Sequence, residues 1–202
     1  MSKGKVKVKV KGKLFLILGP SGSGKGVLIK GLRKNFKDFV YPISCTTREM
    51  RRGEKDGEVY FFISMDEFKK KIEKGDFLEW AVVHKDNLYG TLKSQIITPL
   101  KKGKNVLREV DIQGVNSIMK ILPKQNIVTI FLTAESWNDL KVRITGRHKI
   151  SKHELEKRKE SFEKEMKFAK DCDYVVKSET GKIPQTIQKV TDIIQNELDS
   201  GV

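Results

Sequence analysis

The chain has 202 residues, of which 38% are hydrophobic and 33% charged, and this predicts a soluble globular domain with or without inserted lobes. Its two cysteines, Cys45 and Cys172, lie in no disulfide or metal-binding pattern, and no apolar run reaches the roughly 18 residues that a membrane span needs. The net charge of +15 comes from lysines spread along the chain, so it favours a surface that attracts anionic nucleotides over a dedicated nucleic-acid-binding function.

The N-terminal segment is rich in lysine and contains neither an arginine nor the apolar core of a signal peptide. This composition, together with the few cysteines, predicts a cytoplasmic protein. Residues 3–13 alternate lysine with valine or glycine, which fits either an edge strand with one wet face or a disordered basic tail. We therefore treat residues 1–12 as a basic extension without a chemical role.

Residues 14–18 are predicted to form a buried apolar strand, which ends in a glycine-rich turn with a lysine at its end. Gly19, Gly24 and Lys25 match the G-x-x-x-x-G-K spacing of a phosphate-binding loop. The glycines let backbone N–H groups point at phosphate oxygens, and the lysine reaches the β- and γ-phosphates. The sequence thus predicts a nucleotide-binding turn made of Gly19, Pro20, Ser21, Gly22, Ser23, Gly24, Lys25, Gly26 and Val27.

One feature of this loop is unusual. The position after the lysine commonly carries Ser or Thr, whose hydroxyl helps to hold Mg²⁺. Here Gly26 and Val27 follow, and neither has a hydroxyl. We expect the Mg²⁺ that accompanies a bound nucleotide to be held differently, for example through water.

The remaining elements follow from hydrophobic periodicity and turn residues. Strands are predicted at residues 40–45, 59–63, 77–83, 105–110, 127–132 and 174–176. Helices are predicted at residues 27–36, 65–73, 92–102, 151–170 and 183–198, with two further helical patterns after residues 110 and 132, the second ending near Gly146. Strands alternating with helices, with the phosphate loop first, predict an α/β fold: a P-loop NTPase-type parallel sheet flanked by helices.

Several separate motifs follow the loop. Ser44-Cys45-Thr46-Thr47-Arg48-Glu49-Met50-Arg51-Arg52-Gly53-Glu54 is followed by Phe77-Leu78-Glu79-Trp80, Leu88-Tyr89-Gly90-Thr91 and Glu109-Val110-Asp111-Ile112-Gln113-Gly114. In this order the chain resembles the guanylate kinase family from about residue 13 to about 198. The resemblance implies Mg²⁺-dependent phosphoryl transfer from ATP to GMP or dGMP by a monomer or homodimer. It also implies a core at about 13–43 and 93–198, a strand-rich GMP-binding lobe at about 44–92, and a helical lid at about 144–160.

The chemistry of the acceptor motifs agrees with this resemblance. Arg48 and Arg51 lie three apart in a loop, where guanidinium groups can bind a second phosphate bidentately, and Tyr60 and Tyr89 can each donate a hydroxyl. Taken alone, such arginines could equally be solvated loop residues. Glu79 is a carboxylate in an apolar strand pattern, which is costly unless it is paired, and the N1–H and N2–H₂ groups of guanine offer the matching donors. Without the resemblance, Glu79 would be interpreted as an outward-facing strand acid.

By resemblance, further residues complete the site: Ser44, Thr91 and Glu109 in the base pocket, and Asp111 both near GMP and as the Mg²⁺-associated acid. Arg143 and Arg147 lie four apart on one helical face, and Arg158 lies on the next helix. The resemblance places these three in the closing lid, where cations stabilise the charge of the transferring phosphoryl group. The predicted catalytic residues are Lys25, Arg48, Arg143, Arg147 and Arg158.

Two alternatives stay open from the sequence. Residues 26, 27 and 148–153 depart from the family pattern, which leaves room for a weakened, non-enzymatic module that binds a partner in the GMP site, although Lys25 and the three lid arginines oppose it. The segment Lys177-Ser178-Glu179 also departs from the pattern, in a region that flanks the adenine in family members, and it leaves the donor preference open. A kinase for another small phosphorylated acceptor is the second alternative, although Glu79 and Thr91 together oppose it.

Overall fold

The computed structural model describes residues 7–83, 86–134, 136–146 and 150–200. Its strands are β1 Leu14–Leu18, β2 Cys45–Thr46, β3 Phe61–Phe62, β4 Phe77–Val83, β5 Asn87–Leu92, β6 Val106–Glu109, β7 Ile127–Thr133 and β8 Tyr174–Lys177. Its helices are α1 Lys25–Asn35, α2 Met65–Glu73, α3 Ser94–Lys101, α4 Ile112–Met119, α5 Trp137–Thr145, α6 Lys152–Phe168 and α7 Ile183–Asp199. No helix formed by the described residues has both the length and the apolar character that crossing a bilayer requires.

A four-stranded parallel sheet has the strand order β6-β1-β7-β8. Every residue of β1 and of β7 is buried. Such continuously apolar strands are expected where a parallel sheet is covered on both faces. Helix α1 packs against α7, and the predicted α/β fold with a helix-flanked parallel sheet is confirmed.

A second sheet has the order β3-β2-β5-β4, in which β5 runs antiparallel to both of its neighbours. Its apolar core contains Cys45, Phe68, Phe77 and Leu88, and the rings of Phe68 and Phe77 stack with centroids 4.3 Å apart. A Cβ at Gly90 would lie 2.8 Å from the ring of Phe77 and 3.0 Å from that of Phe68. Glycine is required there because β5 approaches both rings so closely.

The chain divides into two compact units. The first comprises Met1–Leu14, Val40–Arg108 and Gln113–Ile127, and the second Phe15–Phe39, Glu109–Ile112 and Val128–Val202. The sheet β3-β2-β5-β4 and its apolar core lie in the first unit, and the phosphate-binding turn lies in the second. The boundaries of the lobe at 44–92 and of the lid at 144–160 remain predictions.

Most predicted elements are present, and helix α2 is capped by Ser64, whose side chain accepts a hydrogen bond from Glu67 N–H at 3.1 Å. The strand predicted at 40–45 was wrong except at Cys45, with an isolated bridge at Val40. Pro42 has no N–H to donate, and Ile43 N–H donates instead to the Gln95 side chain at 2.7 Å.

Two neighbouring predictions also need correction. The strand predicted at 59–63 is confined to Phe61–Phe62. Strand β5 was missed, and the helix expected from residue 92 begins at Ser94 because Leu92 pairs with Phe77 in the sheet. Asn and Gly have low strand propensity, and only the pairing with β2 and β4 makes residues 87–92 a strand. Residues 7–13 contain no strand, and residues 3–6 of the lysine-rich segment lie outside the described residues.

Candidate active site

The phosphate-binding turn depends on glycines. Gly19, Gly22 and Gly24 have φ values of 135°, 88° and 100°, which side chains disfavour. A Cβ at Gly19 would lie 1.9 Å from the carbonyl oxygen of Leu132, so β7 excludes any larger residue. Helix α1 begins directly after the turn and has no side-chain cap among the described residues. The positive end of its dipole therefore faces the turn, as an anion site requires.

Lys25 lies folded onto this turn. Its Nζ donates to the carbonyl oxygens of Gly19 at 2.6 Å and Pro20 at 3.2 Å, and it lies 3.5 Å from Oε1 of Glu109. The side chain of Lys25 is 13% exposed. It borders a cavity of about 450 Å³ lined by Ser21, Gly22, Gly24, Lys25, Gly26, Val27, Lys30 and Glu109. A cationic pocket of this size and lining suits the phosphates of a nucleotide.

The predicted acids at the end of β6 lie in the second unit with Lys25. Glu109, predicted to contact guanine, pairs with Lys25, and its role in a base pocket stays a prediction. Burial raises the pKa of the Glu165 carboxyl on α6, Lys25 lowers this pKa, and Asp111 raises it. Glu165 therefore lies within electrostatic reach of both groups. Sequence reasoning missed Glu165, since nothing in a charged helix marks one glutamate out of several.

These acids bear on the predicted metal. In the described part of the chain, no group of three or more His, Cys, Asp or Glu residues could hold a metal ion. Mg²⁺ keeps several waters and needs only one or two carboxylates when substrate phosphates supply the other ligands. Asp111, which like Lys25 shifts the pKa of Glu165, is a carboxylate of the kind that a Mg²⁺ arriving with a nucleotide can use, and its metal role stays a prediction.

Two predicted lid arginines lie in the second unit, and one of them, Arg158, contacts the phosphate-binding turn. Arg143 on α5 donates to the carbonyl oxygen of Ser178 at 2.6 Å and to Oγ1 of Thr180 at 3.1 Å. Arg158 on α6 donates to Oγ of Ser21, a residue of the turn, at 2.9 Å. It also pairs with Glu154 at 2.7 Å. Arg147 lies outside the described residues.

In the first unit, the structure brings together a cation and two tyrosines. Nη2 of Arg48 donates to both carboxylate oxygens of Glu54, each at 2.9 Å. The same guanidinium lies 5.6 Å from the ring centroid of Tyr60, whose ring meets that of Tyr89 edge-on at 5.5 Å. Glu54 also accepts from Arg51 N–H at 2.8 Å, while the Arg51 residue is exposed. Sequence reasoning assigned no role to Glu54, although its place in the arginine-rich motif was a usable signal.

The predicted base-reading carboxylate is paired. Oε1 of Glu79 on β4 accepts from Oγ1 of Thr91 on β5 at 2.8 Å and from Nη2 of Arg108 at 2.7 Å. The same Nη2 lies 3.5 Å from Oγ of Ser44. The structure thus brings Ser44, Glu79 and Thr91 together, and adds Arg108. No sequence signal identified Arg108, because a single arginine in a short strand is ordinarily an exposed polar residue.

The Arg48–Glu54 pair leads to a prediction about pH. The pKa of Glu54 is lowered from its ordinary value of 4.5. The largest cause is the hydrogen bond from Arg51 N–H, and Arg48 lowers the pKa further, while burial raises it in part. A lowered pKa stabilises the fold above the ordinary value, and this stabilisation is lost as pH falls through the lowered pKa. We expect acidification below about pH 4.5 to reduce the free energy of unfolding of the wild type more than that of Glu54→Gln.

Urea denaturation at a series of pH values from about 6 to about 3 measures this difference. Glu58→Gln, which removes an exposed carboxyl from the same loop, is the matched control. Parallel pH profiles for the wild type and Glu54→Gln would show that the carboxylate of Glu54 does not stabilise the loop.

Comparisons with a family model and with known proteins all indicate the same family. The family model described as guanylate kinase matches residues 11–197. The guanylate kinase of Thermotoga maritima is 39% identical over 188 residues, which cover 93% of this chain and 88% of that protein. The guanylate kinase of Clostridioides difficile is 42% identical over 187 residues, covering 93% and 89%.

A solved structure is also similar to this chain. The crystal structure of guanylate kinase from Anaplasma phagocytophilum superposes with a TM-score of 0.67 at 26% sequence identity, covering 94% of this chain and 87% of that one. The similarity therefore extends over nearly the whole chain in both sequence and structure.

Proposed function

The chain belongs to the guanylate kinase family, and from this premise we propose that it transfers the γ-phosphoryl group of ATP to GMP, giving ADP and GDP. The observation that carries the acceptor identity is the carboxylate of Glu79, held by Thr91 and Arg108 beside Ser44. A fixed carboxylate matches the paired N1–H and N2–H₂ donors of guanine, whereas adenine presents an acceptor, N1, at the equivalent edge.

On the donor side, the turn at residues 19–25 and the N-terminus of α1 bind the ATP phosphates. Lys25 exchanges its carbonyl partners, Gly19 and Pro20, for phosphate oxygens. Charge in the phosphoryl-transfer transition state spreads over the equatorial oxygens, so positioned cations lower its energy. Lys25 supplies one such cation, and Arg143 and Arg158 supply two more.

On the acceptor side, Arg48, Arg51, Tyr60 and Tyr89 bind the phosphate of GMP. Arg48 is already restrained by Glu54 and by Glu49, whose carbonyl oxygen accepts from Nη1 at 2.6 Å, so little side-chain entropy is lost on binding. Glu79, Ser44 and Thr91 bind the base. Glu109 and Asp111 are proposed as further residues that contact GMP. When bound with ATP, Mg²⁺ would be held by Asp111 through water and would neutralise charge on the phosphates.

Arg158 provides a test of the donor side. We expect Arg158→Ala to lower kcat about tenfold with little change in the KM for GMP, because this arginine reaches the phosphate turn through Ser21. The effect is limited because the other arginines share the charge. Lys159→Ala, which removes an exposed cation one residue away, should leave kcat close to the wild-type value. A larger loss in Lys159→Ala than in Arg158→Ala would contradict this role.

The experiment that tests the proposed function measures ADP production from ATP and Mg²⁺ with GMP, dGMP, AMP, CMP or UMP as the acceptor. Turnover with GMP and dGMP alone is the expected result. GMP-dependent thermal stabilisation without turnover would instead indicate a binding module, and turnover with another acceptor would indicate a different kinase. Retention on DNA or RNA that depends steeply on salt and ignores GMP would indicate a nucleic-acid-binding role.

The setting of this activity is also part of the proposal. We infer a cytoplasmic enzyme that acts as a monomer or homodimer, with ATP and GMP or dGMP as its ligands. Neither Cys45 nor Cys172 forms a disulfide, and Cys45 is buried, which supports a reducing environment. Burial raises the pKa of the Cys45 thiol, so this residue serves as a packing group rather than a nucleophile.

A further inference from the structure

Arg108 pairs with the proposed base-reading carboxylate, but it is not among the residues that we propose to contact the substrates. We propose that Arg108 is a positioning residue for acceptor recognition: it binds one oxygen of Glu79 and thereby directs the other oxygen toward guanine. This inference rests on the proposed function, since it concerns how the same site selects its base.

The hydrogen bonds at Glu79 are distributed unequally between its two oxygens. Thr91 Oγ1 and Arg108 Nη2 both donate to Oε1, at 2.8 Å and 2.7 Å. A carboxylate oxygen has two lone pairs, so these two donors saturate Oε1. Within the described residues, no hydrogen bond reaches Oε2. Oε2 is therefore the atom left to accept the ring N–H and amino groups of guanine.

Arg108 is well placed to fix this arrangement. Its side chain is 9% exposed, compared with 28% for Glu79, so the guanidinium is the more buried member of the pair. Its strand is fixed by two backbone bonds, from Val106 N–H to Lys13 O and from Leu107 N–H to Val40 O, each 3.0 Å long. A planar guanidinium on a fixed strand presents its donors in a defined direction.

The pairing of Arg108 with Glu79 also lowers the free-energy cost of removing water from the carboxylate when GMP binds. When a base covers a carboxylate, the carboxylate loses water, and this is unfavourable unless a cation or donors replace the water. Arg108 supplies the cation before GMP arrives. It also keeps Glu79 from rotating to accept the amino group of adenine, so it favours guanine over adenine.

The test compares Arg108→Met, Arg108→Lys and wild type in steady-state kinetics. We expect Arg108→Met to raise the KM for GMP about tenfold and to reduce the preference for GMP over AMP. The KM for ATP and kcat should stay within about twofold of wild type. Arg108→Lys, which keeps the charge but loses the planar fork, should give an intermediate KM for GMP. Lys69→Met, which removes an exposed cation from the same unit, controls for the loss of one positive charge.

A double-mutant cycle with Glu79→Gln tests whether Arg108 acts through Glu79. The double variant Glu79→Gln/Arg108→Met should bind GMP no more weakly than Glu79→Gln alone. Additive effects, an unchanged or lower KM for GMP, or an equal rise in the KM for ATP would each overturn the proposal.

Melting temperatures identify any variant that fails to fold. If Arg108→Met does not fold, Arg108→Lys is the test variant, and an unchanged KM for GMP in Arg108→Lys would contradict the proposal. If the wild type itself does not turn over GMP, the proposed function fails. If the wild type is active and the Arg108 variants match it, only this inference fails.

Discussion

Replacing Lys25 by alanine should lower kcat about 10³-fold, the largest loss expected from any single substitution in this chain. The ammonium group is held against the phosphate turn by the carbonyl oxygens of Gly19 and Pro20, so it is already positioned where the donor phosphates bind. In a loose phosphoryl-transfer transition state, a positioned cation acts on charge that develops during the reaction. The loss should therefore appear mainly in kcat, while the KM for GMP changes little.

Lys30→Ala is the matched control, because Lys30 lines the same cavity but lies outside the turn. It should weaken ATP binding slightly and leave kcat near the wild-type value. Single-turnover measurements with saturating ATP distinguish slow chemistry from weak binding. Full activity of Lys25→Ala would contradict the proposal that Lys25 acts on the donor phosphates. Because Lys25→Ala also removes the ion pair with Glu109, the melting temperature is measured beside the kinetics.

Glu79→Gln is expected to reduce kcat/KM for GMP about a hundredfold. The substitution keeps the size of the side chain but replaces two acceptor oxygens by one oxygen and an NH₂ group. If the amide nitrogen faces the base, it meets the N1–H and N2–H₂ donors of guanine, and two donors repel. If it faces the other way, it meets Arg108 Nη2 and Thr91 Oγ1, which require an acceptor in the folded chain.

The KM for ATP reports whether this effect is local, and it should remain near the wild-type value. Glu73→Gln, which changes an exposed carboxylate on α2, is the control for charge. IMP provides a further probe because it retains N1–H but lacks the 2-amino group. We expect Glu79→Gln to reduce the advantage of GMP over IMP. An undiminished preference for GMP would show that another group reads the base.

The fold was predictable where the local pattern and the tertiary environment agree. The buried strands β1 and β7 and the helices α2, α6 and α7 were predicted from their hydrophobic and charge patterns, and the observed caps at Ser64 and Ser151 support two of these helices. The pattern failed between residues 40 and 63, where Pro42 and the side chain of Gln95 remove backbone bonds from a strand. It also failed at β5, because Gly90 has a low strand propensity but leaves the space that the rings of Phe68 and Phe77 occupy.

The candidate site shows the same division. The phosphate turn, Glu79 and the arginines of the acceptor motif were recognised because their chemistry needs fixed spacings in one short segment. Glu54, Arg108 and Glu165 were not recognised. Arg108 lies 29 positions from Glu79 along the chain, and Glu165 is brought near Lys25 by helix α6. Local spacing cannot report these two long-range pairs, whereas Glu54 lies within the arginine-rich motif, 6 positions from Arg48.

The sequence by itself determined the phosphate-binding turn, the α/β class and the family, because each depends on residue types in consecutive or regularly spaced positions. Only the tertiary structure decided which partner each charged group has. Lys25 pairs with Glu109, Arg48 with Glu54, and Arg108 with Glu79. The physical reason is that an ion pair depends on distance and burial in space, and neither is encoded by the separation of two residues along the chain.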